Sequence, residues 1–111
     1  MQDSKMVLAT FQQLIEQYGG TISEKKPNVG RIDIPGIEWV SEGIITSSHG
    51  NIRADFYISP DKISDVIAVA KKYGLEFAIG AGSVIDTTLY ASLTTFDKLY
   101  SALQELGQRW K

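Results

Sequence analysis

Two stretches of this chain carry the same sequence grammar, and that repetition restricts the available folds more than any other feature. The first runs through residues 44–48, a turn at His49-Gly50-Asn51, residues 52–58 and the helix pattern SPDKISDVIAVAKKYG. The second runs through residues 75–79, a turn at Gly80-Ala81-Gly82-Ser83, residues 85–93 and TTFDKLYSALQELG. A shift of about 35 residues lays Ile44 on Ile79, Ala54 on Leu89, Phe56 on Ala91 and Ile58 on Leu93. A shift of about 36 lays Asp61-Lys62-Ile63 on Asp97-Lys98-Leu99, so the second connection into a helix is one residue longer. The match is one of hydrophobic pattern more than of letters, and it predicts a strand–strand–helix unit written twice in tandem.

Within the first unit, Ile52, Ala54, Phe56 and Ile58 alternate with Asn51, Arg53, Asp55 and Tyr57. Successive strand side chains point to opposite faces, so this pattern buries one face and leaves the other to solvent. The second unit repeats it, with Ile85, Thr87, Leu89, Ala91 and Leu93 against Asp86, Thr88, Tyr90 and Ser92. Ser59-Pro60 reads as a helix start, because serine caps as an acceptor and proline at the first helical position gives up no needed N–H. Ile63, Val66, Ile67, Ala70 and Tyr73 then form one stripe that Gly74 closes. Thr94 with Asp97 predicts a capping box, or Thr95 caps directly, ahead of the stripe Phe96, Leu99, Leu103, Leu106 and Trp110.

Upstream, residues 4–18 place Val7, Leu8, Phe11, Leu14, Ile15 and Tyr18 on one helical stripe that Gly19-Gly20 ends. Between residues 21 and 42 the signals are weaker. Residues 30–34 alternate like a short strand between the turn dipeptides Pro27-Asn28 and Pro35-Gly36, and residues 37–40 read as another short strand or as an extension of the next one. Lys25-Lys26-Pro27-Asn28 reads as an exposed loop. The expected fold is α+β in a single domain spanning 1–111, with a helical segment 1–20, an irregular segment 21–42 and the two units at 43–74 and 75–111. Its architecture is a two-layer sandwich, an antiparallel sheet with helices on one face, in the order α-β-β-β-α-β-β-α.

Composition narrows the function classes. With 43% hydrophobic and 22% charged residues the chain cannot be disordered throughout. It has no cysteine, which removes disulfides, thiolate metal ligands and a thiol nucleophile. The first residues, MQDSKMVLATFQQL, lack a secretory pattern, and no apolar run approaches the roughly 20 residues that cross a bilayer, so a soluble, cytoplasmic protein is expected. The net charge is −2 and the basic residues are scattered among carboxylates, which weighs against nucleic-acid binding, since that needs a basic stripe.

No assembled catalytic constellation is legible, and no cofactor or metal site is expected. His49, the only histidine, stands in a turn without a nucleophile or carboxylate at any recognisable spacing. Gly80, Gly82 and Ser83 could cradle an anion through backbone N–H groups, but phosphate loops of the common kinds lead into a helix, whereas this run leads into a strand. Asp55 and Asp86 sit at polar positions of the two units, and paired carboxylates on one sheet face could anchor a polar ligand. The face opposite the core projects Arg53, Tyr57 and Tyr90, with Thr88, Ser92 and Trp39 beside them. Aromatics with arginine and little lysine are enriched at protein interfaces, so a protein-binding or self-associating module is the first functional expectation. A small-molecule or anion-binding domain is the alternative.

The order of elements resembles that of the small acidic chaperones of bacterial type III secretion, homodimers that bind unfolded effector segments. The tandem strand–strand–helix arrangement also resembles, more loosely, TATA-binding-protein-like domains. Both resemblances lie in element order and carry no site residues over to this chain. The first implies an adaptor or chaperone-like role. The second implies nucleic-acid binding, a distant third expectation given the missing basic surface.

Overall fold

A computed structural model describes residues 11–26, 29–40, 42–47 and 51–111. It is an α+β fold in which a six-stranded sheet, antiparallel at every pairing, carries helices on one face. After α1, helical over residues 11–16, come β1 (Thr21–Lys26), β2 (Val29–Asp33), β3 (Gly43–Ser47) and β4 (Asn51–Ile58). A single 3-10 turn leads into α2 (Ile63–Lys72), followed by β5 (Glu76–Ile79), β6 (Ile85–Ser92), a second 3-10 turn and α3 (Phe96–Arg109). The strands lie in the order β1-β2-β3-β4-β6-β5, so β4 and β6 are neighbours deep in the sheet while β1 and β5 form its edges. Among the described residues no helix is long and apolar enough to cross a membrane.

Alternation decides which face is covered. On β4, Ile52, Ala54, Phe56 and Ile58 are all buried, and opposite them Ile85, Thr87 and Leu89 of β6 are buried too. This face meets Val66, Val69 and Ala70 of α2 and Phe96, Leu99, Ala102, Leu103 and Leu106 of α3, and together they form one continuous core. At the β2–β3 end the core is completed by Phe11 and Ile15 of α1 with Ile32, Ile34 and Ile44. Tyr18 meets the edge of Phe96 at 5.3 Å between ring centroids and lies against Tyr100 at 4.6 Å, which joins the end of α1 to α3.

Two departures from the sequence expectation lie between residues 21 and 40. Lys25-Lys26 does not begin a loop but closes edge strand β1; Pro27-Asn28 lies outside the described residues. Among the described residues there are therefore four strands before α2, where three were expected. Residues 37–40 do not form a strand: Ile37 and Val40 are buried from within turns, and Trp39 lies on the helix side. The Trp39 indole N–H donates to the Leu103 carbonyl at 3.0 Å, and its ring meets Phe56 at 5.0 Å and Trp110 at 5.2 Å. That packing explains a glycine inside α3. A β-carbon on Gly107 would stand 2.8 Å from the Trp39 ring nitrogen.

The helix starts also differ in detail. Ser59 makes no capping hydrogen bond. Before α3, the Ser92 backbone N–H donates to the Thr95 hydroxyl at 2.8 Å, so the local cap lies upstream of the expected Thr94–Asp97 pair. The two covering helices are joined by polar contacts. Glu105 of α3 accepts from Lys72 at 2.7 Å and from the Tyr73 hydroxyl at 3.0 Å, and its other oxygen lies 3.0 Å from Arg109. Asp65 of α2 accepts from Arg109 at 3.3 Å and from the Trp110 indole at 3.0 Å. The Lys72 hydrogen bond holds the Glu105 carboxyl below the usual carboxylate range, and Glu105 in turn raises the Lys72 ammonium.

Two stability predictions come from this packing. Phe56→Ala and Leu103→Ala, each removing a fully buried side chain, should lose on the order of 2 to 5 kcal/mol in denaturant unfolding. Losses below about 1 kcal/mol at both sites would contradict the assigned core. Gly107→Ala should lower the melting temperature although alanine favours helix by about 1 kcal/mol, because the new methyl displaces Trp39; a stabilised variant would overturn that packing.

Candidate functional site

The uncovered face of the sheet is built by the same alternation that builds the core. The register carries one row of side chains across all six strands: Ser23, Arg31, Ile45, Arg53, Tyr90 and Glu76. The next row runs through Gly43, Asp55, Thr88 and Ala78, and beyond it Tyr57 stands opposite Asp86. Residues on these rows lie on the side that carries no helix among the described residues, and two are large exposed rings: Tyr57 is 50% and Tyr90 39% accessible. A shallow open trough of about 1050 Å³ lies at the end of the sheet where β3 finishes and β4 begins, bordered by the open face on one side and by Thr46, Leu75 and Thr95 of the helix side on the other. Val29, Ile45, Asn51, Arg53, Glu76 and Tyr90 contribute to its lining.

Asp55 organises the middle of the face. It accepts from Arg53 Nε at 2.9 Å and from the Thr88 hydroxyl at 2.6 Å, so a carboxylate on β4 fixes groups on both β4 and β6. Arg31 repeats the pairing on β2, with its Nε 3.6 Å from Asp33. In each case the arginine and the aspartate stand two residues apart on one strand, hence on the same face. Arg31 also lies over Gly43, where a β-carbon would come 3.1 Å from the guanidinium carbon.

The structure therefore groups Arg53, Tyr57, Tyr90, Asp55 and Asp86 on one face, as the alternation expected, and sets Trp39 apart from them. Arg31, Ile45 and Glu76 join the face without having been picked out from sequence. Their place on the face becomes evident only once strand pairing is known, because β2, β3 and β5 are only four or five residues long and repeat their period too few times to stand out. His49 lies outside the described residues.

The glycine-rich run forms the loop between β5 and β6. The Gly80 N–H donates to the Asp86 carbonyl at 2.8 Å, so this donor is used within the hairpin. Gly82 has φ of +128°, a backbone region that side chains with a β-carbon resist, and it thereby permits the reversal. Asp86 sits at the base of the loop, and a carboxylate there opposes an anion. Asp55 and Asp86 share a face, but Asp55 is engaged by Arg53 and Thr88, and among the described residues no group of three or more acidic or histidine side chains assembles.

No protein-family model, curated protein or solved structure matches the chain. The geometry of the open face is thus the basis for any functional reading.

If Asp55 is the organiser of the face, Asp55→Ala should cost about 1 kcal/mol, since it removes one partly screened ion pair and a hydroxyl hydrogen bond. The Arg53 and Thr88 side-chain resonances should become averaged among rotamers. An unchanged stability with unchanged Arg53 and Thr88 resonances would show that Asp55 does not order this surface.

Proposed function

We propose that the chain is a protein-binding module, of an adaptor or chaperone-like kind, that docks a partner protein on the uncovered face of its sheet. The observation that carries this reading is the pair of exposed tyrosines, Tyr57 and Tyr90, on the two interior strands that are held by the longest ladder in the sheet. Rigid strands under exposed aromatic rings present contact area at little conformational cost, because few torsions remain to be fixed on binding. Arg53, held against Asp55, adds a preorganised charged group beside Tyr90, its direct cross-strand neighbour. Tyrosine and arginine are the residue types over-represented at the energetic centres of protein interfaces.

The two strand–strand–helix units are read here as a tandem repeat. Their inner strands, β4 and β6, pair with each other, and their outer strands, β3 and β5, lie outside them in the order β3-β4-β6-β5, the arrangement a local two-fold axis would produce. The units are not superimposable in register. Ala54 pairs with Ile44 in the first hairpin, whereas Leu89 pairs with Phe77 in the second. The outer strands are thus related by a shift of 33 residues and the inner strands by 35. Under this reading the repeat places one tyrosine from each unit on a shared surface.

The test is differential capture. The immobilised chain should retain a partner from an extract of its source that a folded Tyr57→Ala/Tyr90→Ala double variant releases, with loss of at least tenfold in affinity once the partner is purified, the scale of about 1.4 kcal/mol or more. Equal affinity for both forms would rule out the face as the docking site.

A further inference from the structure

The two edges of the sheet are unlike each other. The pairing of β1 with β2 shifts register between Glu24 and Lys26, and such an irregularity discourages a further strand from adding. β5, with the sequence EFAI, has no lysine, no proline and no register shift against β6. Among the described residues no strand pairs with its outer side.

The backbone of β5 fixes what that outer side offers. The Gly80 N–H bonds to Asp86, so the Gly80–Asp86 pair is of the hydrogen-bonded kind, and by alternation so are Ala78–Thr88 and Glu76–Tyr90. The intervening residues, Phe77 and Ile79, turn their N–H and C=O groups away from β6. Their side chains point to the helix side and both are only half-buried, so the core layer is incomplete along this edge.

We propose that β5 is a self-association edge, pairing antiparallel with β5 of a second copy of this chain so that Phe77 of each protomer stands opposite Ile79 of the other. In this register all four outward backbone groups of Phe77 and Ile79 are satisfied, in two hydrogen-bonded pairs. Phe77 packs on the partner's Ile79 twice on the helix side, an aromatic–branched cross-strand pair that closes the open end of the core. Ala78 meets the partner's Ala78 on the two-fold axis in a non-hydrogen-bonded pair, where the Cα atoms approach to about 4.5 Å and a small side chain fits. Glu76 stands opposite the partner's Gly80, so no like charges face each other. One segment thus supplies a backbone, an apolar and a steric match to itself, which is what an isologous interface requires. The resulting twelve strands form one continuous sheet, its uncovered face doubled in length.

The experiment is light scattering on the full chain over a concentration series, with variants that address the axis. The wild type should reach twice the chain mass. Ala78→Lys, which places two ammonium groups on the axis at an exposed position, should remain monomeric with an unchanged circular dichroism spectrum and melting curve at low concentration. Under mild oxidation Ala78→Cys should form a disulfide-linked dimer, since the axial Cα separation lies within the range a disulfide bridges, while Ser23→Cys on the β1 edge should not. A wild type that stays monomeric throughout, a dimer untouched by Ala78→Lys, or equal cross-linking of the two cysteine variants would overturn the assignment. Tyr57→Ala/Tyr90→Ala leaves this edge intact, so loss of partner capture with retained dimer mass separates the two surfaces.

Discussion

The eight-residue ladder between β4 and β6 is the constraint from which the rest of the structure follows. Both strands are interior, flanked by β3 and β5, and the pleat leaves only the choice of which side chains point each way. Ile52, Ala54, Phe56 and Ile58 with Ile85, Thr87 and Leu89 take one side, and no single residue could change sides without a register slip that moves the whole set. That commitment forces the helices to one face, because only there is apolar surface available for the stripes of α2 and α3. It also forces Arg53, Asp55, Tyr57, Asp86, Thr88 and Tyr90 together on the other. Core and candidate site are two outputs of a single period.

The layer covering the core is held by more than apolar contact. Trp39 enters from a turn and bridges sheet and helix, with its N–H on the Leu103 carbonyl and its ring between Phe56 and Trp110. Glu105 and Asp65 tie α2 to α3 through Lys72, Tyr73, Arg109 and Trp110, contacts at the rim where water still competes. Such rim pairs fix the relative placement of the helices more than they add stability. By contrast nothing among the described residues crosses the open face except side-chain pairs within it, Arg53 with Asp55 and Thr88, and Arg31 with Asp33.

Much of this was legible in the sequence, and the misses share a cause. The stripe of α3, most of that of α2, the faces of β4 and β6 and the grouping of Tyr57 with Tyr90 could be read because long elements repeat their period often enough to identify it, although on α2 it is Val69 and not Ile67 that enters the core. β1 was hidden because an edge strand is solvated along one side and needs no apolar alternation, so TISEKK reads like a loop. Residues 37–40 misled in the opposite way. Ile37, Trp39 and Val40 are as apolar as a strand, yet they plug the core from successive turns, where alternation carries no directional meaning. Trp39 was therefore set on the wrong side. The two-residue difference in register between the hairpins was likewise invisible, since letters fix the parity of a strand but not its partner.

One face closed by helices and one left open is the central claim, and solvent accessibility of the aromatic rings tests it most directly. With a soluble paramagnetic agent added to the free chain, ring-proton relaxation should rise strongly at Tyr57 and Tyr90 and hardly at all at Phe56, Phe96 and Phe11, which are 1% accessible or less. Tyrosine rings as shielded as those of Phe56 would mean that both faces of the sheet are covered, and the open face described here would not exist.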